Sequence, residues 1–447
     1  MTTDNQDRLQ ALLSAARRHG ADAADAILIE ATAISTMCRK GVPEGLEHSE
    51  TVGLGMRVFV GQRAAIVSAS ALEPSGFDAF AAQAVAMAKV LPEDRYIGLG
   101  DPTQQGCFDL GALDLVDRHD APDLPSLLAR AKVAEDAALG VEGVTNTNGA
   151  SASYGKMTVT LADSAGFVGQ YARTSHGTGV SVLAGSGTRM QRDYAGHQAV
   201  HLEDLDPADA LGREAGQRAV ARIDPGKPRS GSMPVVFDRR VSGTILGHLA
   251  AAINGAAIAR GTSFLAARRG QRILPSNLSV VDDPTRARGL RSRPFDAEGT
   301  LATSLSLVES GALNHWLLDG RTARQLSLPP NGRALRGVGS PPSPGISNLI
   351  LMGGDIALPD LLADIEEGVW IDELMGSSIN GLTGDYSRGA SGFMIRHGVI
   401  AEPVAEMTIA GNLTDMFARL RAADDLEFRR GTDAPTLRID DMHVAGA

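Results

Sequence analysis

The sequence predicts an α+β protein of two domains, with an α/β-layered N-terminal half and a β-rich, barrel- or sandwich-like C-terminal half. Three observations lead to this expectation. The chain has 447 residues, more than a single hydrophobic core usually serves. Glycine supplies 51 of them, well above the usual share of about 7%, while aromatic residues make up only 4%. Many segments also alternate between apolar and polar residues, which is typical of strands joined by glycine turns.

The first elements are a helix and a set of strands. Apolar residues at helical spacing precede Gly20, which supplies the left-handed stop of an amphipathic helix. Alternation then predicts strands over 26–36 and 44–60, and a tight turn leads into a third strand. Ser75, with Asp78 three residues later, predicts a capping-box start for an alanine-rich helix.

The middle of the N-terminal half returns to helices and strands after a long connection. Residues 91–125 are rich in proline and predict a loop, and residues 124–139 predict a helix. Between 150 and 200, the segments YGKMTVTLADSAG, FVGQYARTS and TGVSVLAGSG predict a meander with glycine corners. Asp206 as the cap and Pro207 in the first turn begin a further helix.

A linker separates the two halves. Residues 224–234, DPGKPRSGSMP, combine proline, glycine, serine and basic residues. We therefore place an N-terminal domain over 1–223 and a C-terminal domain over 235–447. Five segments of the second half are distinctive: a small-residue helix at 247–265, the strand LPSNLSVVDDP, the loop RPFDAEGT, a glycine-rich turn region at 373–393 and a strand-to-helix joint at 402–417.

Charge and composition exclude several functional classes. The net charge of −11 is unfavourable for a nucleic-acid-binding protein, and the best basic cluster, 286–293, is flanked by acidic residues and predicts a solvated loop. Cys38 and Cys107 predict neither a disulfide framework nor a zinc motif. The first ten residues lack the pattern of a signal peptide, and no apolar run reaches the ~18 residues of a membrane span. We expect a cytoplasmic protein that binds neither nucleic acid nor membrane.

One histidine pair has the spacing of metal ligands. His197 and His201 form an H-x3-H pattern, and Glu203 or Asp204 could supply a third ligand. The alternative is a polar face at the end of a strand. The chain has no GxxxxGK[ST] phosphate loop and no GxSxG nucleophile elbow.

The C-terminal segments taken together are more specific. GDYSRGASGF and TIAGNL, with the other segments in the same order and spacing, resemble the TldD/PmbA family and, within it, the PmbA (TldE) branch. The resemblance covers the C-terminal half, and the N-terminal half is compatible with it. It implies a cytoplasmic metallopeptidase of two related subunits, which digests small or unfolded peptides.

In that family the TldD-type subunit carries an HExxxH helix and a later cysteine as metal ligands. At the positions that match the two histidines and the glutamate, this chain has Leu246, Ala251 and Gly247. His248 is near but out of register, and no cysteine follows Cys107. A catalytic zinc needs about three protein donors, and its water needs a base. We therefore expect no metal and no catalytic residue in this chain, and zinc only in a TldD-type sister subunit.

A polar cluster among the C-terminal glycines is the candidate contact site for a peptide or a partner. Arg388 could bind a peptide carboxylate, and the glycines could expose strand edges to an extended peptide. In the structural alternative the same side chains satisfy turns, and Asp385 pairs with Arg388. The candidate residues are Glu373, Asp385, Tyr386, Ser387, Arg388 and Asn412.

Two hypotheses of function follow, with a third beside them. The first is a non-catalytic subunit of a heteromeric metallopeptidase, silent alone and shaping the chamber in which a TldD-type sister cuts peptides. The second is a stand-alone binding protein, such as a gyrase-linked modulator that contacts gyrase protein rather than DNA. The third is independent hydrolysis at His197 and His201. A homodimer is an option for the isolated chain.

Overall fold

The structure, a computed structural model, describes residues 2–70 and 73–446. Its helices are α1 (Thr2–Arg18), α2 (Phe77–Val90), α3 (Leu110–Leu113), α4 (Leu124–Leu139), α5 (Ala208–Ala221), α6 (Arg239–Ala252), α7 (Gly255–Ala259), α8 (Gly320–Leu326), α9 (Leu358–Leu362) and α10 (Leu413–Ala418).

Strands β1 to β6 belong to the N-terminal half: β1 (Ala23–Arg39), β2 (Val42–Val60), β3 (Arg63–Ser70), β4 (Val144–Asp163), β5 (Val168–Ala184) and β6 (Gln191–Ala199). The strands of the C-terminal half are β7 (Gly231–Phe237), β8 (Ser279–Asp282), β9 (Leu305–Glu309), β10 (Ala312–Leu313), β11 (Ala334–Leu335), β12 (Ser343–Pro344), β13 (Leu349–Met352), β14 (Glu367–Ile379), β15 (Asp385–Arg396), β16 (Val399–Asn412), β17 (Arg421–Ala422), β18 (Thr432–Asp433) and β19 (Leu437–Ala445).

The N-terminal half is one antiparallel sheet with a helical layer on one face. The strand order is β3-β2-β1-β4-β5-β6. Helices α1 and α2 cover Ala26 and Leu28 of β1, while α4 and α5 cover Val180 and Val182 of β5 in a separate core. Because side chains alternate across a strand, Ile27 of β1 faces the opposite side of the sheet. This arrangement confirms the predicted layering.

The C-terminal half contains a closed β-barrel. Strands β16, β15, β14, β7 and β19 pair in that order, and β16 also pairs with β19, which closes the ring. A second sheet has the order β10-β9-β8-β13-β18. Closure removes the free edges that an open sheet of this kind would present. The α+β class with a β-rich C-terminal half is therefore confirmed.

The two halves meet on the sheet face that the helices leave open. Phe295 of the C-terminal half packs edge-on against Phe167 and Tyr171, with ring centroids 5.2 and 5.4 Å apart. Asp25 of β1 accepts hydrogen bonds from Arg57 and from Arg336 of the C-terminal half. The predicted linker lies between α5 and β7, and β7 begins inside it at Gly231. The division into two domains stays a prediction.

Most predicted elements of the N-terminal half are present, with one error in the strands. The helix over 124–139 has the predicted bounds, and the 91–125 connection contains only the short α3. The segments FVGQYARTS and TGVSVLAGSG, however, form the single strand β5. Gly177 and Gly179 are not corners but pair with Ser153 and Ser151 of β4. Glycine at these positions avoids a close contact, because a Cβ at Gly177 would lie 2.7 Å from the Ser153 hydroxyl.

Two predicted helix caps are wrong. Residues Pro74–Gly76 form a 3-10 turn, and α2 begins after Gly76 without a side-chain cap. Asp78 instead accepts a hydrogen bond from Arg18. At α5, Pro207 occupies the capping position, so Asp206 does not cap the helix. Asp206 forms an ion pair with Arg429. In both cases the carboxylate therefore binds an arginine far along the chain and not the first turn of the helix.

Two segments of the C-terminal half also differ from expectation. The small-residue helix of 247–265 is divided between α6 and α7 at Asn254, whose side chain accepts from the Ala256 N–H at 2.9 Å and caps α7. The glycine-rich region of 373–393 is mostly the hairpin of β14 and β15 rather than a turn. No helix in the described residues is long and apolar enough to cross a membrane.

Candidate functional site

Helix α6 carries the three positions that the family resemblance assigns to metal ligands. Leu246 is 3% exposed and packs in the barrel-side core. Gly247 and Ala251, four residues apart, share another face of the helix. A Cβ at Gly247 would meet no atom within 4 Å, and Ala251 is exposed. The helix therefore presents a small, open surface at these positions and no side chain that can bind a metal.

A polar cluster adjoins this surface, formed by His248 of α6 and by Tyr386 and Arg388 of β15. The rings of His248 and Tyr386 meet edge to face, with centroids 5.6 Å apart. Strand alternation places Tyr386, Arg388 and Ala390 on one face of β15, and Tyr386 lies in the same core as Leu246. The spacing in β15 is visible in the sequence, but the contact with His248 is not.

The surroundings fix the protonation states of this cluster. Burial, together with the nearby Arg388 guanidinium, lowers the pKa of His248 to about 4. Burial raises the pKa of Tyr386 well above its ordinary value, although Arg388 opposes this shift. At neutral pH the cluster therefore holds a neutral imidazole, a neutral phenol and one cation. Nε2 of His248 and the Tyr386 hydroxyl are buried without a hydrogen-bond partner in the described part of the chain.

Arg388 supplies the only fixed charge of this cluster. Its Nε donates to the carbonyl oxygen of Gly376 at 2.8 Å. The expected pair between Asp385 and Arg388 is wrong, because Asp385 accepts from the Thr383 hydroxyl at 2.5 Å and from Asn412 Nδ2 at 3.2 Å. No carboxylate of residues 2–70 or 73–446 forms an ion pair with Arg388. A guanidinium without an ion-pair partner can bind a carboxylate from another molecule.

The other candidate residues have structural partners. Asn412 caps α10, since its Oδ1 accepts from the Thr414 N–H at 3.0 Å. Ser387 lies on the opposite face of β15 from Tyr386 and pairs with Ala410 of β16. Glu373 accepts from Nη1 of Arg222 at 3.2 Å, which ties β14 to the end of α5. The structure thus brings together Tyr386 and Arg388 but separates them from Glu373.

The two histidines, His197 in β6 and His201 just after that strand, do not form a shared site. Nδ1 of His197 accepts from the Asp206 N–H at 3.1 Å, whereas Nε2 of His201 lies 2.9 Å from the Asp114 carbonyl oxygen. Glu203, the suggested third ligand, binds Arg288 instead. The described residues contain no group of three or more His, Cys, Asp or Glu side chains that could hold a metal ion.

The basic segment 286–293 is not a solvated loop. Arg288 donates from Nε to Asp114 at 2.7 Å and from Nη1 to Glu203 at 2.7 Å, and Arg293 is only 7% exposed. The carboxylates that pair with Arg288 belong to the N-terminal half, while the flanking Asp296 interacts with the charge of Arg293. Arg288 therefore contributes its charge to the contact between the two halves.

Comparison with known proteins covers nearly the whole chain. Residues 24–88, 117–223 and 230–446 match the models of domain 1, the central domain and the C-terminal domain of the PmbA/TldA metallopeptidases. The chain is 32% identical to Metalloprotease PmbA of Escherichia coli O157:H7, over 95% of this chain and 92% of that protein. It is also 32% identical to the Metalloprotease PmbA homolog of Haemophilus influenzae, with the same coverage.

Solved structures share the fold. A Bacteroides thetaiotaomicron protein described as a candidate modulator of DNA gyrase superposes with a TM-score of 0.90 at 25% identity, covering 99% of both chains. TldE of Thermococcus kodakarensis superposes with a TM-score of 0.86 at 17% identity, covering 98% of this chain and 100% of that one. At that identity the second likeness concerns the fold alone.

Proposed function

Since this chain belongs to the PmbA/TldD metallopeptidase family, we propose that it is the metal-free, PmbA-type subunit of a two-subunit peptidase. Its partner is a TldD-type sister subunit that binds the zinc and cleaves the peptide bond. The complex degrades or processes small or unfolded peptides in the cytoplasm. On its own the chain is catalytically silent.

One observation carries this proposal: the surface of α6 cannot hold the zinc that the family implies. Leu246 has an apolar side chain turned into the core, and Gly247 and Ala251 offer no donor atom toward the open side. His248 is a single imidazole next to a tyrosine, whereas a catalytic zinc needs about three protein donors and a base for its water. The residues present do not fit a zinc ion.

The polar cluster gives the silent subunit a role toward peptide. Arg388 has no ion-pair partner among the described residues and lies close enough to His248 of α6 to lower the pKa of that imidazole. A carboxylate on a peptide or on the sister subunit would neutralise it. We therefore assign Arg388 to binding and not to bond cleavage.

The decisive experiment compares cleavage of an unfolded peptide by this chain alone, by the TldD-type sister alone and by the mixture. We expect cleavage only where the sister is present, more of it in the mixture, and complete loss with a metal chelator. Chelator-sensitive cleavage by this chain alone, in a preparation free of other proteases, would contradict the proposal.

A second candidate function is that of a gyrase-linked modulator. The observation that favours it is the description of the structural neighbour from Bacteroides thetaiotaomicron. With a net charge of −11, such a protein would contact gyrase itself and not DNA. Binding of purified gyrase by this chain without its sister subunit would support this role, and absence of binding would exclude it.

A further inference from the structure

A cavity of about 570 Å³ lies within the helical layer of the N-terminal half. All of its lining residues belong to that half, between α1, the segment around α3 and strands β1, β4 and β5. Its volume is in the range of about 300–1,000 Å³ that is usual for small-molecule sites. Neither the sequence motifs nor the cluster on α6 and β15 involves it.

The sheet face beneath this cavity changes character along each strand. On β4, Ala150 and Ala152 pack under one helix pair, and Ala162 packs under the other. Between them the same face carries Lys156 and Thr158, both of which line the cavity. This face of β4 is therefore apolar under each helix pair and polar in the gap between the two helical cores. Lys156 is exposed in this gap, and Thr158 is partly exposed.

The neighbouring strands repeat this change at the same level. Leu28 of β1 belongs to the core under α1 and α2, whereas Glu30, next on the same face, lines the cavity. Gln170 of β5 lines it as well, and its Nε2 donates to the Thr160 hydroxyl at 3.0 Å. Three adjacent strands therefore give the cavity a polar floor.

The floor holds one acid and one base that do not pair with each other. Glu30 accepts from Asn5 Nδ2 at 2.6 Å, and Lys156 has no ion pair within residues 2–70 and 73–446. In the pairing of β1 with β4, Glu30 lies opposite Thr158. Lys156 is therefore the diagonal neighbour of Glu30, with Cα atoms about 7–8 Å apart. A molecule that lies between them can place a carboxylate at the lysine and an amine at the glutamate.

The wall opposite this floor is largely apolar. It is formed by Leu110, Leu115 and Val116, which are 46%, 4% and 39% exposed. Two charged side chains complete this wall: Asp114, which already has an ion-pair partner, and Arg118. Leu110 and Val116 thus leave apolar area in water at the edge of the cavity. An apolar side chain of a bound molecule would cover this area and remove it from water, which favours binding.

We propose that this cavity binds a small zwitterion with an apolar side chain, either a free α-amino acid or a dipeptide. Lys156 binds its carboxylate, Glu30 binds its ammonium group, and Leu110 and Val116 contact its side chain. The proposal is independent of the proposed function, because the cavity lies within this chain and its binding is measured without the sister subunit.

Calorimetric titration of the purified chain with leucine and with leucyl-leucine tests it. We expect saturable binding of one or both, and the better ligand identifies the source as amino acid or dipeptide. Leucinamide lacks the carboxylate and N-acetyl-leucine lacks the amine, so each should bind about tenfold or more weakly. Equal binding of the analogues, or no binding of either zwitterion at millimolar concentration, would overturn the proposal.

Variants place the ligand in the cavity. Lys156→Met and Glu30→Gln should each weaken binding about tenfold or more, while Lys89→Met and Glu47→Gln, at exposed positions, should not. Ala172→Leu should block binding by filling the floor. Urea unfolding of each variant shows whether it is folded. If a folded Lys156→Met chain binds leucine or leucyl-leucine like the unaltered chain, the assignment of the carboxylate to Lys156 is wrong. If the variants do not fold, the analogue series with the unaltered chain still tests whether the ligand must be a zwitterion.

Discussion

Oε1 of Glu298 lies 3.7 Å from Nη2 of Arg57, so a carboxylate of the C-terminal half faces a guanidinium of β2 in a buried contact. Glu298 is 6% exposed, and its Oε2 accepts from the Gly320 N–H at 2.6 Å. Burial raises the pKa of Glu298 to about 7, although Arg57 opposes this shift. The junction of the two halves thus contains a group that titrates near neutral pH.

This group makes the stability of the chain depend on pH. An unfolded glutamate has a pKa of about 4.3, so between that pH and about 7 the folded chain holds the proton more tightly. Its contribution is fully present at low pH and is lost as the pH rises through 7. We expect Glu298→Gln to increase the free energy of unfolding at pH 8 by ~1–3 kcal/mol and to have little effect at pH 5. Urea unfolding at both pH values measures this, and equal effects at the two would contradict it.

A second contact between the halves centres on Arg222 at the end of α5. Its Nε donates to Asp193 at 2.6 Å and its Nη2 donates to Asp372 of β14 at 2.6 Å. Arg222→Met should lower the free energy of unfolding by ~3–5 kcal/mol, because Asp372 then loses its buried partner, whereas Asp193 keeps Arg240. Arg213→Met, which breaks an exposed pair with Asp209, is the matched control and should cost less than ~1 kcal/mol. Similar decreases in the free energy of unfolding for both variants would show that burial does not make the Arg222 ion pairs more important for stability than an exposed pair.

Metal content gives a direct test of α6. The chain purified without a histidine tag should contain no stoichiometric zinc by elemental analysis. The triple variant Leu246→His, Gly247→Glu, Ala251→His should not acquire it either, since Leu246 points into the core and the later cysteine is absent. One tightly held zinc in each unaltered chain would refute the metal-free assignment.

Arg388 is expected to matter for activity and not for folding. In a complex with the sister subunit, Arg388→Ala should reduce peptide cleavage and change the free energy of unfolding by less than ~1 kcal/mol, because Arg388 pairs with no carboxylate of the described residues. Arg419→Ala, at an exposed pair with Asp441, is the control and should leave both unchanged. Undiminished cleavage by the Arg388→Ala complex would remove the cluster from the function, and a loss of both activity and stability would show a structural role.

Much of the secondary structure follows from the sequence, because its signals are local. The alternation of apolar residues predicts β1 and β2, and the bounds of α4 follow from apolar spacing and from Gly140. The sequence predictions are wrong where a residue far along the chain determines the local structure. Asp78 and Asp206 are good caps by residue type, but Arg18 and Arg429 take their carboxylates. The sequence predicts two strands where the structure has the single strand β5, because glycine usually indicates a turn. In β5, Gly177 and Gly179 instead pair with serines of the neighbouring strand β4, and the hydroxyl of Ser153 needs the small size of Gly177.

By itself the sequence determined that α6 carries leucine, glycine and alanine at the positions that the family resemblance matches to metal ligands, since residue type alone decides whether a donor atom exists. It did not show that Tyr386 and Arg388 share a strand face, because the glycines around them predict a turn region and not the strand β15. Only the tertiary structure decided that His248 contacts Tyr386, that Glu373 binds Arg222, and that Glu30 and Lys156 share the floor of one cavity. The physical reason is that these contacts join residues separated by more than a hundred positions. The periodicity of a sequence indicates on which face of a helix or strand a side chain lies, but it does not indicate which distant residue that side chain contacts.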